Sequence, residues 1–446
     1  MKKLYITNAV LLLMIASIFF LKFNLVTIFS LLVISISIIL VIADKITKQL
    51  KILPVGLLIL INYTLWISSG LLIGGIELSI DIGILKEYLE GEGRIFLYYL
   101  PLIYFSLVYA NFRNIKFMDK ILYLVVFISF LFVILWSLGI GKEILSIGKD
   151  FSGLITSHTA AGTFFGTIFL YIFLKALRKN ERKDYIISLI AFIPLFLSAS
   201  RQAILAVITV IFLYFLFEKQ FKKFLFLFLA LCIIAIAASE TRGVERFKSL
   251  LSPEFFYLIP ITIERVESHE IDKSLARDLS TNEAITNALN RLILWGKAIL
   301  DFKSSSFIGI GFGRYNDKDL DFCGIPKFIY IACSAKENVY DVTSAHNSYL
   351  HFLSELGILG LITNMLIWIH LIRTLNKFEQ KFQKYSIHFS VAKYLVIFTL
   401  INAFFGHALA APAIGFVSLS IIGLIYSFGF YLGRNVYETK LYIHRT

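Results

Sequence analysis

The chain has 446 residues, of which 58% are hydrophobic and only 16% charged; its mean hydropathy is +0.79 and it holds 43 Phe. A soluble protein carries about a quarter charged residues, so this composition excludes a string of soluble domains and indicates one membrane domain. The net charge of +13 raises nucleic acid as a partner, but the basic residues are spread between apolar runs rather than gathered on one face, which argues against it.

Met1-Lys2-Lys3 followed by the apolar run 4–21 has the look of a signal peptide. No small-residue cleavage site follows and a second apolar run starts at once, so it reads as an uncleaved first span. Spans are expected at about 4–21, 24–42, 52–74, 95–110, 121–140, 160–176, 185–199, 202–217 and 221–238. A polar stretch, 239–345, comes next, and spans at about 350–372, 391–411 and 414–433 complete twelve. The fold class is therefore an all-α polytopic membrane protein in three parts: helices one to nine in 1–238, a large and mainly helical loop in 239–345, and helices ten to twelve in 346–446. With the N-terminus in the cytoplasm, the inner segments carry 23 Lys and Arg and the short outer connections only 6. That asymmetry puts both termini in the cytoplasm and the large loop outside, and it accounts for most of the net charge. The loop holds 13 basic and 15 acidic residues, as a near-neutral folded cap would.

Several residues along this frame have chemical potential. His158, in Ser157-His158-Thr159, lies at the outer end of the sixth span, where a hydrogen-bonded interfacial histidine is the commoner role. Arg201 follows the turn Ser198-Ala199-Ser200. The chain crosses twice between Lys183 and Lys219, so each arm reaches only about 26 Å against a hydrocarbon core near 30 Å. The guanidinium is thereby held at or just under the outer surface, either snorkelling to headgroups or clamping a phosphate through its planar fork of donors. Cys232 lies in an apolar run. Cys323 and Cys333 fall in the outer loop, where an oxidising compartment permits a disulfide and spacing leaves free thiols equally open.

Within the loop, 284–300 reads as an amphipathic helix with Ile285, Leu289, Leu292, Gly296 and Ile299 on one stripe. Arg291 and Trp295 stand one turn apart beside it, as an ordinary surface pair also would. Gly309-Ile310-Gly311-Phe312-Gly313 lacks dinucleotide-binding spacing and reads as tight backbone turning. His346 sits where the loop re-enters the membrane, with Ser344 as a candidate helix cap. A histidine at such a boundary is suited to act as a base, although a lone interfacial histidine is more often structural. His351 and Glu355, one turn apart, are placed to pair. No set of residues has metal-ligand spacing, and no Walker or G-x-S-x-G pattern occurs.

From His346 the chain runs His346-Asn347, nine residues, Gly357, two residues, Gly360. This resembles the signature of the O-antigen ligase family at every fixed position. The Ser200-Arg201 turn before a span, the Arg291–Trp295 helix with its glycine turn, and a large loop before the last three spans are similar to that family in the same order. The resemblance covers most of 150–415. It departs where the family often carries a Pro-Asn pair: here the chain reads His158-Thr159, which leaves the role of His158 open.

The resemblance implies a glycan transferase of the bacterial inner membrane with a periplasmic loop. The donor would be an undecaprenyl-diphosphate-linked glycan and the acceptor lipid A–core or another glycan, with no metal, cofactor or nucleic acid. His346 would be the catalytic base and Arg201 and Arg291 the diphosphate clamps, supported by Asn347, Gly357, Gly360 and Trp295. Repeat-unit polymerases and protein-glycosylating enzymes share this chemistry and remain alternatives. A polysaccharide transporter also fits twelve spans, but internal repeats and mid-membrane charges are what transporters tend to show.

Overall fold

The structure, a computed structural model, describes residues 2–23, 25–46, 52–72, 94–219, 248–249, 251–268, 279–312, 315, 345–406, 409 and 411–443. Its helices are α1 (Lys2–Phe19), α2 (Leu25–Ile46), α3 (Pro54–Leu72), α4 (Arg94–Tyr98), α5 (Leu100–Leu107), α6 (Phe112–Ser137) and the single turn α7 (Lys142–Leu145). A two-residue hairpin, β1 (Ser146–Ile147) with β2 (Asp150–Phe151), follows. Then come α8 (His158–Lys179), α9 (Arg182–Leu197), α10 (Arg201–Phe217), α11 (Pro253–Glu267), α12 (Glu283–Ser304), α13 (Ser348–Lys381), α14 (Ser386–Phe404) and α15 (Pro412–Ile443).

Helices stand at each expected span that falls within the described residues, and the protein is an all-α membrane protein. Five of these helices are long and apolar enough to cross a membrane: Phe112–Ser137, His158–Lys179, Ser348–Lys381, Gln383–Phe404 and Ala413–Arg434. The expected span at 95–110 is two short helices, α4 and α5, broken at Tyr99. The ninth expected span, 221–238, lies outside the described residues, as do Cys232, Cys323, Cys333 and Ser344.

The centre of the bundle is α8, packed by α9, α10, α14 and α15. Helices in lipid gain little from hydrophobic segregation, so close packing and interhelical hydrogen bonds must hold them. Both are present. A Cβ at Gly162 would collide with Ser200, and one at Gly415 with Tyr98, so α8 and α15 approach their neighbours at backbone range. Ion pairs tie the helix ends remote from the 198–201 turn: Lys175 to Asp119 (2.8 Å), Arg178 to Glu218 and Glu379, and Lys393 to Glu379 (2.7 Å). Charges at that depth persist because each meets an opposite charge.

The loop helices α11 and α12 pack on each other through Leu258, Val266, Ile285, Leu289 and Ile293. This corrects part of the expected stripe. Gly296 does lie under Val266, but Ile299 is exposed and Leu300 takes its place beside the cluster. A real helix turns 3.6 residues per revolution, so the buried face moves to 293 and 300 along its length.

Candidate functional site

The site end of the bundle gathers the starts of α8, α10 and α13, the end of α14 and one face of α12. At its middle lies the beginning of α13. His346 has φ of 49°, in the left-handed region that a non-glycine residue enters at a cost, and the residue reaches the surface. The cap is Asn347, not Ser344: its side chain accepts the N–H groups of Tyr349 (3.0 Å) and Leu350 (3.2 Å). The buried cap fixes the backbone one residue after the imidazole. Ser348, also buried, donates its hydroxyl to the Gly406 carbonyl and accepts the Leu409 N–H, both at 3.1 Å. The residues after α14 are thus sewn to the residue two after His346.

Arg291 of α12 acts on His346 from across the loop. Loss of hydration first, and the positive charge of Arg291 second, pull the imidazole down to about 4, so it is neutral at pH 7. Burial also lowers Arg291, but a guanidinium stays charged across the physiological range. One turn on, Trp295 packs edge-on against Phe404 with ring centroids 5.9 Å apart, and its buried indole N–H has no partner among the described residues. The sequence pair Arg291–Trp295 is therefore a contact face toward α14 and His346, not an ordinary surface pair.

A backbone latch sets α12 in this position. At Gly357 (φ 63°, ψ −166°) α13 leaves helical geometry. The Ile358 and Leu359 N–H groups then turn to the carbonyls of Ser306 (3.0 Å) and Phe307 (3.3 Å). In exchange the freed carbonyls of Ser354 and Glu355 accept the N–H groups of Ile310 (2.9 Å) and Gly311 (3.0 Å). A Cβ on Gly357 would strike the Phe307 carbonyl, and one on Gly309 (φ 73°) would strike the Glu355 carbonyl. Two glycines nearly fifty residues apart are required because two main chains meet there. At Gly360 a Cβ would meet the Leu356 Cβ, so this third glycine gives the break room to close.

Side chains reinforce the latch. Glu355 accepts the Tyr315 N–H at 3.0 Å and lies 3.4 Å from His351, the pair expected from the one-turn spacing. Tyr315 donates to the Leu294 carbonyl at 2.7 Å, and Lys297 reaches both Asp301 (2.9 Å) and the Tyr315 carbonyl. Gly313 of the glycine run lies outside the described residues.

Arg201 is the first residue of α10 and half-buried. The turn before it is tight: Ala199 has φ of 51°, Ser198 and Ser200 are buried, and Ser200 rests on Gly162. His158 braces that turn, its Nδ1 3.2 Å from the Ser198 carbonyl and its Nε2 3.9 Å from Asp150. The next residue, Gln202, donates to Asn402 (3.2 Å), which donates to Thr163 (2.6 Å), and Gln202 also lies against Gly406. Gly406 is the residue whose carbonyl binds Ser348. Gly406 therefore joins the residue after Arg201 to the start of α13.

Arg291 acts electrostatically on His346, Trp295 one turn on packs against Phe404 at the end of α14, and the Arg201 turn is linked to the start of α13 through Gln202, Gly406 and Ser348. His158 supports the Arg201 turn. Gly357 and Gly360 build the latch. Sequence reasoning missed Asn402, Gln202 and Ser348; the available signal was an amide in each of two otherwise apolar helices. Among the described residues no group of three or more His, Cys, Asp or Glu is placed to hold a metal.

Fold and site together define an α-helical membrane protein with a histidine–arginine cluster where a loop helix latches onto a membrane helix. Residues 186–365 match the family model described as O-Antigen ligase, and over that stretch the chain is similar to that family. No curated protein matches the chain in sequence.

Proposed function

We propose that this protein moves a glycan from a polyprenyl diphosphate, undecaprenyl diphosphate in bacteria, to an acceptor hydroxyl on lipid A–core. The observation that carries the reading is the geometry at the start of α13, where His346 is held in left-handed backbone at the surface and within electrostatic reach of Arg291 from α12. A base and a cation side by side are what such a transfer requires.

The donor carries its own leaving group, so no ATP is needed on the outer side of the membrane. His346 takes the proton from the acceptor hydroxyl. The acceptor oxygen bonds to the anomeric carbon as the bond from that carbon to the phosphate oxygen breaks. The electron pair leaves with the polyprenyl diphosphate, and attack opposite it inverts the anomeric centre. Arg291 and Arg201 stabilise the growing phosphate charge, each contributing about 3 kcal/mol if they act like other preorganised donors. A bound diphosphate also offsets the repulsion between Arg291 and His346, raising the imidazole toward the range of an effective base just when it is needed.

In this reading the chain crosses the bacterial inner membrane twelve times, with both termini in the cytoplasm and 239–345 in the periplasm. The excess of Lys and Arg on alternate connections supports that orientation. The acceptor is tested by a lipopolysaccharide gel from a deletion strain. Bare core with stranded lipid-linked polymer is the expected result. Core bearing a single repeat would make the protein a polymerase instead, and an unchanged gel with altered glycoproteins would make it a protein-glycosylating enzyme.

A further inference from the structure

The exposed apolar residues of α13 form a stripe: Ile358 (43% exposed), Ile362, Leu366 and Ile369 recur at spacings of four, four and three. On a membrane helix such a stripe faces lipid. It does not stop at α13. Phe307 (66% exposed) and Ile308 (41%) lie at the tip of the latch, whose backbone bonds to Ile358 and Leu359. Ile299, in the last turns of α12, is exposed as well.

Depth follows from helix rise. Arg373, the first cation after the stripe, is fifteen residues beyond Ile358, about 22 Å along the axis at 1.5 Å per residue. A hydrocarbon core is about 30 Å thick, so a helix with Arg373 at one face holds Ile358 about 8 Å inside the other. His346 precedes the first residue of α13, on the far side of the break at Gly357 from Ile358.

Irregular backbone survives at that depth only if its polar groups are satisfied by protein. The latch supplies such partners for much of its backbone. The N–H groups of Gly309, Ile310 and Gly311 and the carbonyls of Ser305, Ser306 and Phe307 are all bonded within it, and the next N–H, of Phe312, is bonded to Ser69 of α3. The Ser304 and Ser306 hydroxyls fold back onto the carbonyls of Asp301 and Phe302. Phe312 is buried and stacks on Trp66, so the hairpin is held by two membrane helices while its tip points away from protein.

We infer that residues 305–311 form a re-entrant hairpin whose Phe307 and Ile308 side chains contact the acyl chains of the outer leaflet. The lipid anchors the end of α12 and so holds the Arg291 helix over His346. This stands on the membrane crossing of α13 and not on the transferase reading.

The test places a benzophenone-bearing amino acid at 307 or 308 of the full-length protein in its native membrane, one position at a time. After illumination, lipid adducts are read by mass spectrometry. Position 362 is the lipid-facing reference, and Lys149, exposed in the β-hairpin turn, is the water-facing one. Phospholipid adduct at 307 and 308 is expected at a yield like that of 362, with none at 149. No adduct at 307 or 308 while 362 labels overturns the inference, as does adduct confined to the polyprenyl donor. If the bulky group at 307 blocks insertion, 308 carries the same expectation by itself.

Discussion

At the scale of single residues, the proposed chemistry separates into a base and its clamps. Arg291 reduces the proton affinity of His346, so the pH dependence of transfer reports their contact. The folded imidazole lies near 4, below its unfolded value near 6.5. Its neutral form is therefore the one the fold favours. The linked stability is present above pH 6.5 and is lost as pH falls toward 4. Second-order transfer rates should rise through an acid limb near pH 4 and stay flat at neutrality. Arg291→Gln should shift that limb to higher pH; an unmoved limb would separate Arg291 from His346. Arg201 is tested by its geometry. Arg201→Lys keeps the charge but removes the planar pair of donors, so transfer should fall on the order of tenfold or more. Full activity would reassign Arg201 to headgroup snorkelling.

At the scale of elements, the latch between α12 and α13 explains why glycines stand where they do. Gly357→Ala would place a Cβ against the Phe307 carbonyl and hold a non-glycine residue at φ 63°, ψ −166°. That backbone region costs a residue with a side chain about 1–3 kcal/mol, before the collision is counted. The protein should still insert, but the 283–304 helix should become sensitive to protease added from outside, with transfer lost in parallel. Unchanged protection would remove the latch from the account. The Gly-x-Gly run could be read in the sequence as a tight turn, and the helix spacing at 284–300 as a buried face. The partner of that turn could not be read, because hydrogen bonds between two main chains leave no side-chain pattern. Asn402 was illegible for a related reason: a lone amide in an apolar run does not reveal which helix it meets. Ser344 was a plausible cap by type, and Asn347 took the role because the left-handed turn at His346 delays the helix start.

At the scale of the whole molecule, the two ends of the bundle do different work. One end is tied by charge pairs such as Lys175–Asp119 and Arg178–Glu379. The other holds Arg201 and Arg291, the cations that the proposed function assigns to the donor diphosphate. Apolar runs of bilayer length made the helices legible, and the distribution of Lys and Arg gave their expected direction. Length alone hid the break at Tyr99, because a span of two short helices has the same hydropathy as one long helix. What sequence spacing could not supply is the link from the start of α10 to the start of α13, which runs through Gln202, Gly406 and Ser348 and on which the proposed convergence of positions 201, 291 and 346 rests.

Reconstitution tests that convergence most directly. The purified protein, in vesicles with a polyprenyl-diphosphate glycan and lipid A–core, should transfer the glycan. His346→Ala should insert normally and transfer at a rate lower by roughly a hundredfold or more, the scale of general-base catalysis. Wild-type rates from inserted His346→Ala would contradict the account.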